Sequence, residues 1–501
     1  MLIGGLDVGT TGCKLTTYNE KGEFVYNSYK EYNVSRINGT HEIDAEMIFS
    51  AVCDIIKDTA SKYSELDAIG VTSFGESFVL LDKDDRALLN SMLYTDPRGS
   101  EEIIYLCKNI GENKLIHISG TKPHPMYSLP KIMWIKNNLP AVFENTRRIL
   151  LMEDYIVYML TGNAQIDYSL AARTMGFDIR NKCWSNEIFA AAGLDQTLMS
   201  KPVRTGSLAG NIRKEVRENL GLSGDIMIIN GSHDQVAAAI GAGILAPGEA
   251  VDGTGTVECV TPMFDKIPEN AELYNEGYSV VPYVFDGTYV CYALSFTGGA
   301  ALKWFRDNFA KYENEIARQS GKNVYAQLDS LIKDEPTDIL ILPHFSGAAN
   351  PYMDKNAKAL IAGLTLEHTN YDIYKALMEG VTYEVMQNIH HLENFGINFR
   401  NLYAAGGGAA SDKWLQIKAD IWDRPVTALD AKEAGACGTC MLACVAMGIC
   451  KNLIQAKDIF VKPRKTFTPD IARAEIYKKK FEKYKNLYPM MKNVFRGETN
   501  E

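Results

Sequence analysis

The sequence predicts an α/β protein of at least two domains, built from a duplicated unit. Its 501 residues exceed the size at which a single hydrophobic core usually keeps growing. Hydrophobic residues make up 46% of the chain and charged residues 23%, close to the average of globular domains. A pattern of strand, Gly/Thr turn and strand opens the chain and recurs near residue 250. Such internal repetition indicates that a structural unit has been duplicated.

The first repeat covers the opening residues of the chain. The apolar run 2–8 leads into the turn GTTG, then into alternating residues 14–18, the turn NEKG and another strand-like piece. This pattern predicts a three-stranded meander. The second repeat places strands at 249–251 and 257–261 around the turn DGTGT. Proline and glycine within 245–248 favour a linker between the two halves.

The remaining segments mainly show helical spacing. Helices are predicted over 130–135, over 150–158, from residue 299, and from about 370 to 395. Residues 402–405 are typical of a strand and run into the glycines 406–408. The end of the chain, from 469 to about 487, predicts a charged amphipathic helix whose Lys-rich face is a solvated surface.

Charge and cysteine usage limit the partners and the compartment. The net charge of -10 disfavours a nucleic-acid partner, because binding phosphates requires clustered basic residues. No window approaches about 18 continuous apolar residues, and no basic leader precedes the short apolar run at the start. Ten cysteines without dense, even spacing fit thiols in a reducing compartment. We therefore expect a cytoplasmic protein without a membrane partner; a homodimer is compatible with the sequence, although no pattern establishes one.

One group of cysteines has a second interpretation. Cys437, Cys440 and Cys444 share one face of a predicted helix, which allows a metal or iron–sulfur protein. The surrounding Ala, Gly, Met and Val residues favour a close-packed buried helix instead, in which cysteine serves as a small hydrophobic residue.

Asp234 is the strongest candidate for a catalytic group. It stands in the sequence GSHDQ, directly before a predicted helix of very small residues. The helix dipole favours an ionised carboxylate at this position, and such a carboxylate can take a proton from a substrate hydroxyl. The alternative is an Asp that only caps the helix, which is the commoner use of Asp at a helix start.

Three Gly/Thr turns indicate a site for phosphates. They are DVGTTGCK at the start, DGTGTVE in the second repeat and AAGGGAASD further on. Glycine lets the backbone approach a phosphate closely, while threonine hydroxyls and backbone amides donate hydrogen bonds. Neither a P-loop nor a dinucleotide-binding fingerprint is present. Each turn taken alone also fits an ordinary hairpin.

Seven motifs, taken in order, resemble the FGGY family of carbohydrate kinases. The resemblance runs from about residue 2 to about residue 448, nearly the whole chain. The motifs are DVGTT at 7–11 with Lys14, YTDPR at 94–98, GSHDQ at 231–235, GTGT at 253–256, GAALKW at 299–304, PHFSG at 343–347 with Asn350 and Pro351, and GGG at 406–408.

The resemblance implies an α/β fold of two actin-like (RNase H-like) ATPase domains with a central cleft. Residues 1–245 would form the N-terminal FGGY domain with the sugar site and the catalytic base, and residues 246–501 the C-terminal, ATP-binding domain, which ends in the amphipathic helix. Asp234 would be the base, and Asp7 would help to place Mg²⁺. ATP would be bound by Thr10, Thr11, Lys14, Gly253, Thr254, Gly299, Lys303, Gly407, Gly408 and Ser411. Phosphoryl transfer needs such a set, since it relies on alignment and charge neutralisation.

The resemblance also implies a sugar site in the first domain. Its residues would be Glu76, Asp96, Arg98, Met126, Asp234 and Gln235. Asp96 and Arg98 offer an acceptor and a forked donor for adjacent hydroxyls, or else form an ordinary surface salt bridge. Xylulose and gluconate kinases typically carry Met-His where this chain has Gly75-Glu76, and glycerol kinases carry Arg-Glu. By contrast, the segment around Met126 resembles the xylulose and gluconate kinases, since glycerol kinases usually place a tyrosine there.

Charge separates these substrates. Glu76 would repel a substrate carboxylate by roughly 4 kcal/mol at about 4 Å and an effective dielectric constant of about 20, unless Arg98 or Lys131 offsets it. We therefore expect a neutral sugar or polyol, with a ketose such as xylulose ahead of glycerol. A gluconate or glycerol-type kinase stays an alternative, and an alternative of another class is an actin-like nucleotide-binding module without sugar chemistry.

Overall fold

The computed structural model describes residues 1–63, 66–430 and 433–497. The chain forms two compact units. The first comprises Met1–Leu245, Ser279–Val290 and Glu433–Val461, and the second Ala246–Tyr278, Cys291–Lys432 and Lys462–Glu501. Two segments that follow residue 245 in the chain thus pack with the first unit, so the compact units are not simply the two halves of the sequence.

The first unit is built on a six-stranded sheet. Leu2–Val8 pairs antiparallel with Gly12–Asn19, and this strand pairs antiparallel with Phe24–Glu31, which confirms the predicted meander. Ala68–Ser73 lies parallel to the first strand, and Met227–His233 lies parallel to Ala68–Ser73. Leu208–Asn211 closes the sheet as an antiparallel edge. Buried Ile, Leu and Val side chains from the strands pack against Ala45–Lys62 and Met152–Thr161.

The second unit repeats this strand order. Glu258–Phe264 pairs antiparallel with Glu249–Thr254, and Asn401–Ala405 and Val426–Leu429 then add in parallel. Pro463–Phe467 pairs antiparallel with Val426–Leu429. Because directions and order match those of the first unit, the predicted duplication and the two-domain α/β fold class are confirmed. The predicted cleft between the domains stays a prediction.

The other elements connect these strands. Helices associated with the first unit are Ala45–Lys62, Ser100–Ile110, Glu112–Ser119, Ser128–Asn138, Pro140–Asn145, Met152–Thr161, Tyr168–Ala172, Asn186–Ala192, Lys214–Leu220, Asp234–Gly241, Ala434–Ala446 and Leu453–Phe460. Those of the second unit are Glu272–Asn275, Gly299–Phe309, Lys311–Ser320, Val324–Asp329, Asn370–Asn394, Asp412–Trp422, Ile471–Tyr484 and Leu487–Arg496. Single 3₁₀ turns lie at Gln196–Leu198 and Gly407–Ala410.

Further short strands lie along the chain. They are Ser35–Ile37, Thr40–Ile43, Phe78–Leu81, Ser91–Met92, Arg148–Leu151, Gln165–Asp167, Phe177–Asp178, Cys183–Trp184, Lys201–Val203, Val280–Pro282, Tyr289–Cys291, Ala293–Ser295, Leu340–Leu342 and Leu360–Ala362. Among the described residues, no helix has the length and apolar character needed to cross a membrane.

Two predicted helices differ from the structure. Residues 148–151 form a strand paired with Phe78–Leu81, and the helix begins only at Met152, because a short apolar run fits either structure until its partner is known. The terminal helix ends at Tyr484, and a second helix starts at Leu487. Asn486 lies at this break, where its side chain donates to the Glu482 carbonyl oxygen at 2.8 Å, as Asn does when it competes with the helical backbone.

Helices Asp234–Gly241 and Ala434–Ala446 pack with their backbones in contact. A Cβ atom on Gly438 would lie 2.0 Å from the Ala237 carbonyl oxygen, and one on Gly241 would lie 1.9 Å from the Ala434 carbonyl oxygen. Glycine is therefore required on both helices. Within the first unit, this contact holds the helix that begins with Asp234 against the helix Ala434–Ala446.

The three cysteines of Ala434–Ala446 are buried in this packing. Burial raises the pKa of the Cys437 thiol to about 12 and that of the Cys444 thiol likewise. The Cys440 Sγ atom lies 3.6 Å from the Ile3 carbonyl oxygen. Within the described ranges no group of three His, Cys, Asp or Glu side chains is arranged to hold a metal ion. The cysteines thus behave as small core residues, and the structure gives the metal-protein alternative no support.

Replacing Gly438 by Ala tests this helix contact. The new methyl group would meet a backbone oxygen at 2.0 Å, so we expect the free energy of unfolding to fall by about 1–3 kcal/mol. Gly224→Ala is the matched control, because no atom lies within 4 Å of its Cβ position and its φ is ordinary. Urea unfolding followed by circular dichroism measures both variants. Equal stability of the two variants would contradict the contact.

Candidate active site

Asp234 begins its helix directly after the strand Met227–His233. His233 occupies the capping position without a side-chain capping bond, and Asp234 is the first residue of the helix. The Asp234 Oδ1 atom accepts a hydrogen bond from the Gln235 backbone N–H at 2.6 Å and lies 3.3 Å from His233 Nε2. Thr72 fixes the preceding backbone, since its hydroxyl donates to the Ser232 carbonyl oxygen at 2.6 Å.

The surroundings of Asp234 raise its pKa to a value close to neutral pH. Burial, reinforced by the charges of Asp7 and Glu76, raises the pKa of Asp234 to about 7, although the Gln235 backbone N–H and Arg173 oppose the rise. Even so, 38% of the side chain is exposed, so a ligand in solution can reach the carboxylate. Burial holds the pKa of His233 well below its usual value, and this imidazole is therefore neutral. Near pH 7 the acid and the carboxylate of Asp234 coexist.

A second carboxylate, that of Asp7, borders a cavity in the same unit. The cavity has a volume of about 480 Å³, and its lining includes Asp7, Gly9, Thr11, Gly12 and Lys14. Burial and the charge of Glu433 raise the pKa of Asp7 to about 6, although the charge of Lys14 opposes this rise. The Lys14 Nζ atom is bound to Glu433 Oε2 at 2.7 Å. Of the residues predicted to bind phosphates here, Thr11 and Lys14 line this cavity, and Thr10 is not among the lining residues.

Glu76 is paired with Arg173, a residue that sequence reasoning missed. The Arg173 Nε atom donates to Glu76 Oε1 at 2.6 Å, and Nη2 contacts the same oxygen. Side chains of both residues are less than a tenth exposed. Gly75 leaves room for this pair, since a Cβ atom there would lie 3.2 Å from Arg173 Cγ and 3.0 Å from His233 Cδ2. The guanidinium thus offsets the Glu76 charge, a role that the sequence had offered to Arg98 or Lys131.

Glu76 also has an unusual backbone conformation. Its φ angle is +66°, in the left-handed region that non-glycine residues rarely adopt. The Ser128 hydroxyl donates to its carbonyl oxygen at 2.7 Å, and the ion pair with Arg173 holds its side chain. Such conformations persist where the surrounding contacts fix them, and they concentrate at functional sites.

Asp96 and Arg98 form a bidentate ion pair away from the surface. Arg98 Nε and Nη2 donate to the two Asp96 oxygens at 2.7 and 2.8 Å. The Asp96 side chain is fully buried and that of Arg98 is 16% exposed, so the surface-salt-bridge alternative is wrong. Although burial raises the pKa of Asp96, hydrogen bonds from Arg98 and from the His41 backbone lower it below its usual value. Arg98 also donates to Glu42 at 2.6 Å and stacks over Trp134.

Lys131 is used inside the protein. Its Nζ atom donates to three carbonyl oxygens, those of Asp96 at 2.6 Å, Pro125 at 2.7 Å and Arg98 at 3.2 Å. Burial lowers its pKa to about 8, although Asp96 opposes this. The charge of Glu76 also acts on Lys131, but the direct partner of Glu76 is Arg173, while Lys131 donates to carbonyl oxygens and Arg98 to Asp96. Lys131 instead ties the segment that carries Met126 to the Asp96 loop.

The remaining predicted sugar residues, Met126 and Gln235, are half-buried. Met126 packs at the edge of a cluster that contains Tyr127, Met133 and Met175. Tyr94 was quoted only as part of a motif, yet burial followed by the charges of Glu76 and Asp234 raises the pKa of its phenol. The 44% exposed Tyr94 is therefore a neighbour of both carboxylates, which spacing along the chain did not indicate.

The second unit contains a cavity of about 550 Å³ at the Gly/Thr turns. Six predicted residues line it, namely Thr254, Gly299, Lys303, Gly407, Gly408 and Ser411, whereas Gly253 does not. Its lining also includes residues that no motif indicated, among them Asn323, Tyr325, Asp329, Tyr374 and Trp414. Lys303 is mostly exposed and pairs with Asp307 at 2.8 Å.

Asp329 organises one wall of this cavity. Its Oδ2 atom accepts from the Ser411 hydroxyl at 2.7 Å, and its Oδ1 atom from the Tyr374 hydroxyl at 3.1 Å. Ser411 also caps the helix Asp412–Trp422 by accepting from the Trp414 backbone N–H at 3.0 Å. The lining of the cavity therefore combines glycine and threonine residues with aromatic and carboxylate groups.

Comparisons with known proteins show which proteins this chain is similar to. The family model described as the FGGY family of carbohydrate kinases matches twice, with its N-terminal domain over residues 2–241 and its C-terminal domain over 270–447. The xylulose kinase of Bacillus subtilis (strain 168) is 27% identical, covering 98% of this chain and 97% of the relative. The gluconokinase of Bacillus licheniformis is 25% identical, covering 99% and 96%. The solved structure of ligand-bound xylulose kinase from Lactobacillus acidophilus shares the fold, with a TM-score of 0.88, 24% identity and coverage of 99% and 100%.

The Arg173–Glu76 pair can be tested by stability. Arg173→Met leaves Glu76 as an uncompensated buried charge, so we expect the free energy of unfolding to fall by about 3–5 kcal/mol. Arg173→Met combined with Glu76→Gln removes both charges and should recover most of this loss. Urea unfolding of the two single variants and the double variant measures the coupling. Additive losses would show that the two side chains do not depend on each other.

Proposed function

Because the chain belongs to the FGGY family of carbohydrate kinases, we propose that it transfers the γ-phosphate of ATP to a hydroxyl of a neutral sugar or polyol, with a ketose such as xylulose as the preferred substrate. The observation that carries the proposal is the accessible Asp234 carboxylate, whose pKa of about 7 suits a general base near neutral pH. Cysteines without disulfides, all of them in the described part of the chain, support the proposed cytoplasmic location.

Asp234 acts first in the proposed reaction. Its carboxylate accepts the proton of the substrate hydroxyl, and the hydroxyl oxygen forms a bond to the γ-phosphorus while the bond from phosphorus to the bridging oxygen of ADP breaks. The products are the sugar phosphate, ADP and protonated Asp234, which returns its proton to water. The fixed helix start orients the carboxylate, and orientation accounts for much of the rate enhancement in phosphoryl transfer.

Asp7 is the proposed holder of Mg²⁺. Its carboxylate borders a cavity large enough for a hydrated ion, and its pKa is raised mainly by burial, a cost that a bound cation would offset. Mg²⁺ is commonly held by one or two carboxylates together with water and substrate phosphates, so the residues fit the ion. When bound, the ion neutralises charge on the phosphates. Thr11 and Lys14, on the same cavity, are the proposed phosphate contacts there.

The cavity of the second unit is the proposed ATP site. The half-buried Tyr325 supplies apolar surface for a base, backed by the buried rings of Tyr374 and Trp414. Thr254, Gly407 and Gly408 bring backbone and hydroxyl groups to the phosphates. Gly253, Gly299, Lys303 and Ser411 complete the proposed set.

The charges near Asp234 favour a neutral substrate. Arg173 and Lys14 are cations close to the carboxylates of Glu76, Asp234 and Asp7, but Arg173 is already paired with Glu76 and Lys14 with Glu433. Arg98 and Lys131 are taken by Asp96 and by carbonyl oxygens. A substrate carboxylate would therefore add to an excess of negative charge. We propose Glu76, Asp96, Arg98, Met126, Asp234 and Gln235 as the sugar contacts, with Glu76 accepting from sugar hydroxyls.

A gluconate kinase is the second candidate. The similarity to a protein named gluconokinase, at 25% identity, favours it, and so does the presence of Arg173 beside the site. A coupled assay of ADP release over xylulose, gluconate and glycerol separates the candidates. We expect kcat/KM for xylulose to exceed that for gluconate by at least tenfold. A preference for gluconate would overturn the neutral-substrate proposal, and no turnover of any sugar or polyol in a broad panel would overturn the kinase proposal for this site.

Asp234→Asn tests the base directly. We expect kcat to fall by about 10²–10⁴-fold, because general base catalysis is lost, while ATP binding to the second unit stays unchanged. In the parent protein, kcat/KM should fall tenfold for each pH unit below about 7, since protonated Asp234 is inactive. Stopped assays across pH 5–9 measure kcat of the variant and the pH dependence of kcat/KM of the parent.

The control for this variant is Asp286→Asn, an exposed Asp of the same unit paired with Arg204. It should keep the activity and pH profile of the parent.

Asp234→Asn should also melt at a higher temperature than the parent at pH 8. The folded-state pKa of Asp234 lies above its unfolded value. The contribution of Asp234 to the free energy of unfolding is therefore fully present below the unfolded pKa and is lost as the pH rises through about 7. An unchanged rate in Asp234→Asn would remove Asp234 from the mechanism.

A further inference from the structure

Behind the proposed ATP cavity lies a buried cluster of charges that the reaction described above does not use. Lys418, on the helix Asp412–Trp422, has a fully buried side chain between the rings of Trp414 and Trp422, 4.7 and 5.4 Å from the ring centres. Its ammonium contacts the carboxylate of Asp252 and lies 3.0 Å from that of Glu258. Both carboxylates are also fully buried. A lysine is rarely buried this completely unless it is paired, as Lys418 is here.

The third partner of Lys418 is Thr254, which lines the cavity. The Lys418 Nζ atom donates to Thr254 Oγ1 at 2.7 Å. The same oxygen lies 3.4 Å from each oxygen of Asp252, which is near the outer limit of a hydrogen bond. Lys418 also occupies Asp252 Oδ2, the stronger acceptor nearby. Asp252 therefore holds the Thr254 hydroxyl hydrogen only weakly.

The hydrogen-bonding capacity of Thr254 then sets the direction of its proton. A hydroxyl has one hydrogen and two acceptor lone pairs, and an ammonium can only donate. Lys418 fills a lone pair of Oγ1, and the Thr254 hydroxyl donates only over the two long contacts to Asp252, at 3.4 Å each, so a stronger acceptor on a ligand can take its hydrogen. A ligand that accepts hydrogen bonds, such as a phosphate oxygen, matches this arrangement, whereas a ligand that donates does not.

The charges of the cluster keep Lys418 cationic. Although burial lowers the pKa of Lys418, Asp252 and Glu258 raise it above its usual value. Burial raises the pKa of Glu258, which Lys418 opposes and Asp252 reinforces, so Glu258 carries its proton at neutral pH. One cation and one anion then remain, and the cluster is neutral. It can stay buried without a counter-ion from solution.

We propose that Lys418 is a positioning residue for nucleotide binding, which fixes the Thr254 hydroxyl as a hydrogen-bond donor to a phosphate of ATP. Lys418 acts through Thr254 and does not itself touch the ligand. This inference rests on the proposed ATP site of the second unit and adds to it a phosphate-specific contribution from behind the cavity wall.

A double-mutant cycle on the full-length protein tests the proposal. Lys418→Met, Thr254→Val and the double variant are titrated with ATP and with adenosine by calorimetry. We expect each single variant to weaken ATP binding about tenfold, as for loss of one hydrogen bond to a charged group, and to change adenosine binding less than twofold. The double variant should bind ATP no more weakly than Thr254→Val alone, because both changes remove one contact.

Lys480→Met is the matched control. Lys480 is also a buried lysine of the second unit, and its ammonium likewise contacts a carboxylate, that of Glu379, and a threonine hydroxyl, that of Thr337 at 3.1 Å. Neither Glu379 nor Thr337 lines the cavity. This variant should bind ATP as the parent does. Should Lys418→Met fail to fold, Lys418→Met with Asp252→Asn removes one cation and one anion together and should show the same selective loss for ATP.

The outcomes distinguish the role of Lys418 from the existence of the ATP site. ATP binding by Lys418→Met equal to that of the parent, equal losses for ATP and adenosine, or losses that multiply to about a hundredfold in the double variant would each overturn the role of Lys418 and leave the ATP site standing. A parent protein that binds neither ATP nor adenosine would overturn the ATP site and this inference together.

Discussion

The backbone contact between Asp234–Gly241 and Ala434–Ala446 is the constraint on which the rest of the first unit depends. Gly241 and Gly438 each face a carbonyl oxygen of the other helix with no room for a side chain. The contact joins residues about 200 positions apart and draws the segment Glu433–Val461 into the first unit. It also fixes where Asp234 stands and brings Glu433 to Lys14, so it sets both the base and the charge around Asp7.

The sheet then gathers the acidic groups. Leu2–Val8, Ala68–Ser73 and Met227–His233 are neighbouring parallel strands, and Asp7, Glu76 and Asp234 stand at or just beyond their carboxyl ends. Ligands of open α/β sheets bind at this edge. Burial and mutual repulsion raise the pKa values of Asp7 and Asp234, and Arg173 offsets Glu76. The site is thus poised with more negative charge than it can neutralise by itself, which suits a cation and a neutral sugar. In the second unit, Thr254 and the glycines 406–408 follow the equivalent strands.

Local sequence patterns were enough to predict many of the helices and strands. The two meanders, the helices Gly299–Phe309 and Asn370–Asn394, and the small-residue helix after Asp234 all follow from spacing and turn residues within about 25 positions. Arg173 could not be predicted in this way, because it lies 97 residues from Glu76 and no spacing rule links them. Lys14 and Glu433 are 419 residues apart, and only the fold brings them together. The acceptors of Lys131 are backbone oxygens, which a sequence does not display, and the ambiguous run at 148–151 needed its partner strand.

Burial and the charge of Asp7 raise the pKa of the Asp234 carboxylate to about 7. The most direct measurement is a ¹³C NMR titration of the protein labelled at Asp carboxyl carbons, with Asp234→Asn used to assign the Asp234 signal. The account predicts a midpoint near pH 7 for Asp234, and a lower midpoint in Asp7→Asn. A midpoint near the ordinary value of 3.8, unaffected by Asp7→Asn, would contradict it.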